Sequence, residues 1–380
     1  MIDRKKIAVA HPALSGNEKK YVLECLDTGW ISSIGRFIPL FEERFAAYCG
    51  SEYAVACCNG TCALHLALAA LGVGPGDEVI VPTLTYIASA NAVTYCGARP
   101  VFVDSGKRTM NIDPNLIEQH ITSRTKAIIA VHLYGHPADM DAILAIGRRH
   151  GLKVIEDAAE SHGALYKGMK TGSLADIATF SFYGNKIITT GEGGMVTCSD
   201  RTLEEKLRML RGQGMDPRQR YWFPMVGYNY RMTNVAAAIG VAQLEQIDSL
   251  LERRFDLAAE YRRHLSRFDD LIQLPGEEPW VRHAFWAYPI VLREPVGVSR
   301  DEVMQRLTED GIETRPVFYP MHVLPPYLEE GSSRYPVADN LSQRGMMLPM
   351  HTLLDFDDVA YIATRLIQHC SPRISTATAR

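Results

Sequence analysis

"KAIIAVHLYGHPADMDAILAIGRRHGLKVIED", residues 126–157, sets two short apolar runs on either side of one amphipathic stretch. "KAIIAV" and "KVIED" do not alternate polar with apolar residues, so they read as strands buried on both faces. With "DMDAILAIGRRHG" between them as a helix, the stretch is a strand–helix–strand unit of a parallel sheet. The same rhythm extends upstream. "YAVACC" leads to "TCALHLALAALG", "DEVIVP" to "YIASANAVTYCG", and "RPVFVD" to the helical stretch "PNLIEQHI". Downstream, "ATFSFYG" and "GGMVTCS" add two strands before the helix "RTLEEKLRMLRG". A long helical pattern follows over 233–268, with Thr233 and Asn234 as N-cap candidates and one break near Asp248. Beyond it come two β-rich segments, another helix and a final helix from about Asp355 to Cys370. The expectation is therefore an α/β chain in two parts. Residues 1–247 form a large domain with a mostly parallel sheet, residues 248–370 a smaller α+β unit, and 371–380 a polar tail.

Bulk composition narrows the function. The 380 residues are 47% hydrophobic and 22% charged, with a net charge of −4, which offers nucleic acid or an acidic membrane no bulk attraction. No apolar run approaches the roughly 18–20 residues that cross a bilayer. The first twenty residues carry charge but no apolar signal core, and eight scattered cysteines make no disulfide framework, so the cytoplasm is expected. No metal is expected either. "CCNGTC" lacks zinc-knuckle spacing, and Gly135 and Pro137 keep His132 and His136 off one helical face.

Three segments carry chemistry. In "NGTCALHLAL", Asn59, Gly60 and Thr61 join a strand to a helix; free amides at a helix start suit an anion, and Gly60 allows close approach. The plainer use of Asn59 or Thr61 is as an N-cap. Asp157 closes an apolar strand, where open α/β sheets place functional groups; it either caps the next turn or pairs with a protonated ring nitrogen. Lys186 lies in "FSFYGNKIITTGEGGM", between two core-strand sequences. Most lysines are solvated surface charges, but these flanks put this one at a sheet edge. An anion cradle, a strand-end carboxylate and a loop amine have one joint explanation, pyridoxal 5′-phosphate (PLP). Its phosphate would lie on the helix start, its ring nitrogen on Asp157 and its aldehyde on Lys186 as a Schiff base. No Walker loop and no G-x-G-x-x-G is found, which argues against a nicotinamide oxidoreductase.

These segments, with "GNEKKYVLECLDTGWISSIGRFIPLFEERFAAYCG", "GDEVIVPTLTYIASANAV", "VIEDAAES", "YNYRMTNVAAAIGVAQLE" and "RPVFYPMH", resemble the nucleotide-sugar aminotransferases over roughly residues 7–368. The resemblance implies a fold-type I PLP-dependent transferase, aspartate aminotransferase-like, with a mostly parallel seven-stranded sheet and a smaller C-terminal α+β domain. It implies Lys186 as the Schiff-base amine and proton carrier, and Asp157 on the pyridine nitrogen. Tyr86 would stack on the ring, Gly60, Thr61 and Ser181 would bind the phosphate, and Glu160 would line the cofactor site. Asn229 would reach that phosphate from a second subunit, making a homodimer with shared active sites; an exposed Tyr-Asn-Tyr also calls for a partner.

The implied reactants are a nucleotide-linked keto sugar and L-glutamate. Arg231, Arg315, Tyr319 and His322 are the substrate-binding candidates. Some relatives carry histidine in place of the lysine and remove a sugar hydroxyl; Lys186 selects transamination here. Tyr183 and Glu160 stand where many relatives have histidine or phenylalanine, and glutamine. The resemblance favours a GDP-linked sugar. A 4-aminotransferase on a UDP- or dTDP-linked keto sugar is the nearest alternative, and a PLP-bound regulator without turnover a more remote one, opposed by the intact Lys186–Asp157 pair. Phe285 and Trp286 in "HAFWAYP" read as core packing of the small domain in preference to sugar contacts.

Overall fold

The computed structural model describes residues 6–294, 296–328 and 334–370; the tail expected at 371–380 lies outside them. Two helices, α1 (Glu18–Thr28) and α2 (Phe37–Cys49), precede the first strand, β1 (Tyr53–Cys57). The α/β run then follows: α3 (Gly60–Ala70), β2 (Glu78–Pro82), α4 (Ala88–Tyr95), β3 (Arg99–Val103), β4 (Thr125–Val131), α5 (Met140–His150) and β5 (Lys153–Asp157). A short hairpin, β6 (Leu165–Tyr166) and β7 (Met169–Lys170), leads to β8 (Ile177–Ser181), β9 (Gly194–Cys198), α6 (Arg201–Arg211) and α7 (Asn234–Leu244).

The opening segment forms the expected unit. Asp139 caps α5 by accepting from the Ala142 amide, and basic Arg148, Arg149 and His150 occupy its last turn, where the helix dipole favours cations. Gly151 ends it at φ +64°. On either side β4 and β5 pair in parallel, from Ala127 opposite Lys153 to Val131 opposite Asp157.

Seven strands make the main sheet, in the order β1-β9-β8-β5-β4-β2-β3. From β8 to β3 every pairing is parallel, and β9 runs antiparallel to both β8 and β1. Six strands thus point their carboxyl ends to one edge, and β9 starts there. The register puts Cys57, Gly194 and Ser181 in one row at that edge, with Asp157 at the end of β5 beside it.

Where a helix was expected after β3, two single turns stand instead, at Pro114–Leu116 and Glu118–His120. The chain has to re-enter the sheet at Thr125, too soon for a helix with a cooperative length. The long helical pattern breaks slightly before Asp248: α7 ends at Leu244 and α8 (Ile247–Leu265) begins after Gln246. Glu245 at the break is held by Asn17, Tyr21 and Arg44. Thr233 caps α7 by accepting from the Ala236 amide. Apolar on all sides, α7 is buried against α1 and α2.

The smaller unit comprises β10 (Ile272–Gln273), β11 (Val281–Arg282), β12 (Tyr288–Leu292), α9 (Arg300–Glu309), β13 (Arg315–Pro316), α10 (Pro336–Arg344), β14 (Gly345–Leu348) and α11 (Phe356–Cys370). Four of its strands form an antiparallel sheet, β10-β12-β14-β13, while β11 pairs with β6 of the large unit. The chain's start also joins it. The Ile7 amide donates to Gly311, Glu313 donates back to Ile7, and Met350 donates to Val9. Among the described residues no helix is long and apolar enough to cross a membrane.

Candidate active site

A cavity of about 730 Å³ opens at the carboxyl edge of the sheet, lined by both units. Three groups of residues meet in it.

The first is a cradle at the start of α3. Asn59 is the N-cap, its Oδ1 accepting from the Cys62 amide at 2.8 Å, so its plainer role holds. Gly60 and Thr61 follow in the first turn and line the cavity with Ser181; first-turn amides have no partner within their helix and suit an anion. Two glycines let three strands and a helix converge here. A Cβ on Gly60 would lie 2.7 Å from the Cβ of Ser181, and one on Gly194 only 2.3 Å from the carbonyl oxygen of Asn59.

The second is Asp157, buried at the end of β5. Its Oδ2 accepts from the hydroxyl of Ser89 at 2.7 Å and its Oδ1 from the Ala159 amide at 3.3 Å. Burial raises the carboxyl above the usual carboxylate range, and these two donors, with the charge of Lys186, pull it back.

The third is Lys186, in the loop between β8 and β9. Its Nζ lies 3.6 Å from Oε1 of Glu160 and 4.0 Å from the ring centre of Trp286. Oε2 of Glu160 accepts from the Tyr134 amide at 2.8 Å. Burial lowers the lysine below its ordinary value, against the pull of Glu160 and Asp157. The same burial pushes Glu160 up to about 7. A desolvated amine of this kind can be a nucleophile near neutral pH.

Trp286 lines the cavity while also packing in the main hydrophobic core, not in the core of the small unit where it was expected. Its Nε1 donates to the Asn185 carbonyl at 2.8 Å, and Tyr134 stacks behind it, 6.2 Å between centroids and 6° between planes. Phe285, by contrast, packs in the core of the small unit. The two neighbours diverge because Phe285 takes φ +48°. Nη1 of buried Arg254 holds that turn by donating to the carbonyls of Phe285, Trp286 and Met350.

Tyr86 lines the cavity and is 57% exposed, and Arg315 enters from β13. The other substrate candidates lie elsewhere. Tyr319 is exposed outside the lining, and Arg231 is exposed with its Nη2 on Asn229. His322 is fully buried: it meets the Thr83 hydroxyl at 2.7 Å and Asp339 at 3.0 Å, and stacks on Tyr335. It does not reach the cavity. Asn229 stands outside its own chain's cavity, exposed between two buttressed rings. Tyr228 and Tyr230 stack 4.9 Å apart, and the Tyr230 hydroxyl meets His65 of α3 at 2.9 Å. Ser89 and Glu192 also line the cavity and were not foreseen; a serine three positions after Tyr86, at a helix start, was the available signal for Ser89.

The donor set suits PLP: orphan amides and a hydroxyl for a phosphate, a buried carboxylate for a ring nitrogen, and a desolvated amine for an aldehyde. Residues 12–367 match the DegT/DnrJ/EryC1/StrS aminotransferase family, and the chain belongs to that family of PLP-dependent aminotransferases. Among similar proteins, the GDP-perosamine synthase of Caulobacter vibrioides is 56% identical over 368 residues, covering 97% of this chain and 99% of that protein. The Escherichia coli O157:H7 protein of the same name is 48% identical over 97% of this chain and its own full length. The crystal structure of the aminotransferase TlmJ from Streptoalloteichus hindustanus superposes with a TM-score of 0.90 at 31% identity, covering 96% of this chain and 99% of that one.

Proposed function

We propose that this chain transfers the amino group of L-glutamate to C4 of GDP-4-keto-6-deoxy-D-mannose, giving GDP-perosamine and 2-oxoglutarate. One observation carries the chemistry: Lys186, Asp157 and the Gly60–Thr61–Ser181 cradle converge in one cavity. The substrate follows from near full-length similarity to proteins named for that product. Bound PLP supplies the electron sink for the pair left when a proton leaves the carbon bearing nitrogen.

The chain's residues do the rest. Gly60 and Thr61 amides and the Ser181 hydroxyl anchor a phosphate. Asp157, held ionised by its donors, keeps a ring-nitrogen proton in place. Lys186 Nζ takes a proton from one carbon and returns it to another, a general acid–base role that typically contributes 10²–10⁴-fold. Trp286 covers the amine and excludes water, and Arg315 offers a cation to the diphosphate or hydroxyls of the sugar nucleotide.

The working unit is a homodimer in which Asn229 of one copy completes the cradle of the other. Exposed apolar residues on two loops, among them Trp30, Ile34, Trp222 and Val226, support a covered face. Eight free cysteines suit the cytoplasm.

The test is amination of GDP-4-keto-6-deoxymannose with glutamate, with the UDP- and dTDP-linked keto sugars alongside. GDP substrate turned over fastest, and borohydride fixing the cofactor on Lys186, are the expected results. Preference for a UDP or dTDP sugar removes the substrate assignment. Full turnover by Lys186→Ala removes the mechanism.

A further inference from the structure

Asp157 can hold a protonated ring nitrogen only as an anion, yet it sits where charge is penalised. We propose that Ser89 is the positioning residue that keeps this carboxylate ionised and aimed, an inference that rests on the PLP reading above.

The geometry fixes the direction of the hydrogen bonds. An ionised carboxylate accepts only, so Ser89 Oγ donates to Oδ2 at 2.7 Å. Having spent its proton, Ser89 Oγ then accepts from Thr85 Oγ1 at 3.2 Å. The result is a two-hydroxyl chain, Thr85 to Ser89 to Asp157, with all three residues buried. Successive hydrogen bonds of one sense strengthen each other in a low-dielectric interior. The turn that carries this chain also carries Tyr86, through the Ser89 amide on the Tyr86 carbonyl.

The charged and titratable groups facing Asp157 are Lys186, His132 and Glu160. Lys186 favours the anion, but its charge is shared with Glu160, whose own carboxylate opposes a second negative charge nearby. Among the described residues the other donor is the Ala159 amide at 3.3 Å. Ser89 is therefore the short, uncharged contact that favours the ionised form over the neutral one.

The test is a titration of full-length apoprotein with PLP from pH 5 to 8.5, for wild type and Ser89→Ala. It is repeated with 1-deazapyridoxal 5′-phosphate, which lacks the ring nitrogen. A hydrogen bond to a charged group supports an expected loss of about 10-fold in PLP affinity at pH 7.5. The acid midpoint of binding should rise by about one pH unit, with affinity for the deaza analogue unchanged within about twofold. Thr85→Val, which removes the donor behind Ser89, should shift the same midpoint by less and in the same direction; it stands in if Ser89→Ala does not fold. Equal weakening of both ligands, or an unmoved acid midpoint, overturns the role of Ser89. Wild-type protein that forms no borohydride-reducible adduct at Lys186 overturns the PLP reading instead, so the two failures are distinct.

Discussion

Replacing Gly60 with alanine adds one methyl group at the tightest point of the cradle. That carbon would lie 2.7 Å from the Cβ of Ser181, 3.1 Å from its hydroxyl and 3.2 Å from its Cα. Carbon atoms pack at about 3.5–4.0 Å, so α3 and the end of β8 have to separate by roughly 1 Å. Neither can yield cheaply, because Cβ and Cα of Ser181 are not the end of a flexible side chain and β8 is paired on both sides. Overpacking of this kind costs about 1–3 kcal/mol. If the strain falls on the cradle, phosphate-dependent cofactor affinity drops roughly 5- to 150-fold, at about 1.4 kcal/mol per tenfold. If it falls on the sheet, Tm drops instead. The assay is titration of apoprotein with PLP, together with a thermal melt. The double variant Gly60→Ala/Ser181→Gly removes the closest contact, and its combined loss should be smaller than the sum by at least about 1 kcal/mol. Affinity within twofold of wild type, with an unchanged melt, would refute the steric argument.

The Glu160–Lys186 pair sets a pH dependence. Cofactor uptake needs the neutral amine, and the Glu160 carboxylate favours the charged one; in Glu160→Gln that attraction is gone, so the acid limb of the uptake rate should move to lower pH, and an unmoved limb counts against the pairing. His322→Gln should lower stability by about 1–3 kcal/mol through its buried hydrogen bonds while leaving KM for the sugar nucleotide unchanged. Arg315→Ala, at a half-exposed cavity wall, should do the reverse, raising KM with little change in the melt. Steady-state kinetics beside calorimetry separates the two. Mixing inactive Lys186→Ala with Asn229→Ala subunits should restore about a quarter of wild-type activity, since half the dimers are mixed and each holds one intact site; no recovery after subunit exchange argues against sharing.

What could be read from the chain alone was what its neighbours in sequence determine. The apolar runs at 126–131 and 153–157 declare buried strands, and their ends locate Asp157 without any knowledge of packing. Lys186 was legible because its flanks are strands, so only a short loop could hold it. The stretch at 113–120 misled because helical composition does not report how soon the chain must re-enter a sheet. His322 misled for a different reason. Thr83, Tyr335 and Asp339, which bury it, belong to other parts of the chain, and a motif beside cavity residues does not say which way a ring turns.

Phe285 and Trp286 make the same point at the smallest scale. One left-handed residue, pinned by a guanidinium from α8, sends adjacent aromatics into two separate hydrophobic cores. A positive φ at phenylalanine is uncommon and costs on the order of 1–3 kcal/mol, so surrounding contacts have to hold it. That cost is met where it presents Trp286 to Lys186, so that a residue buried in the core also lies over the amine of the loop lysine.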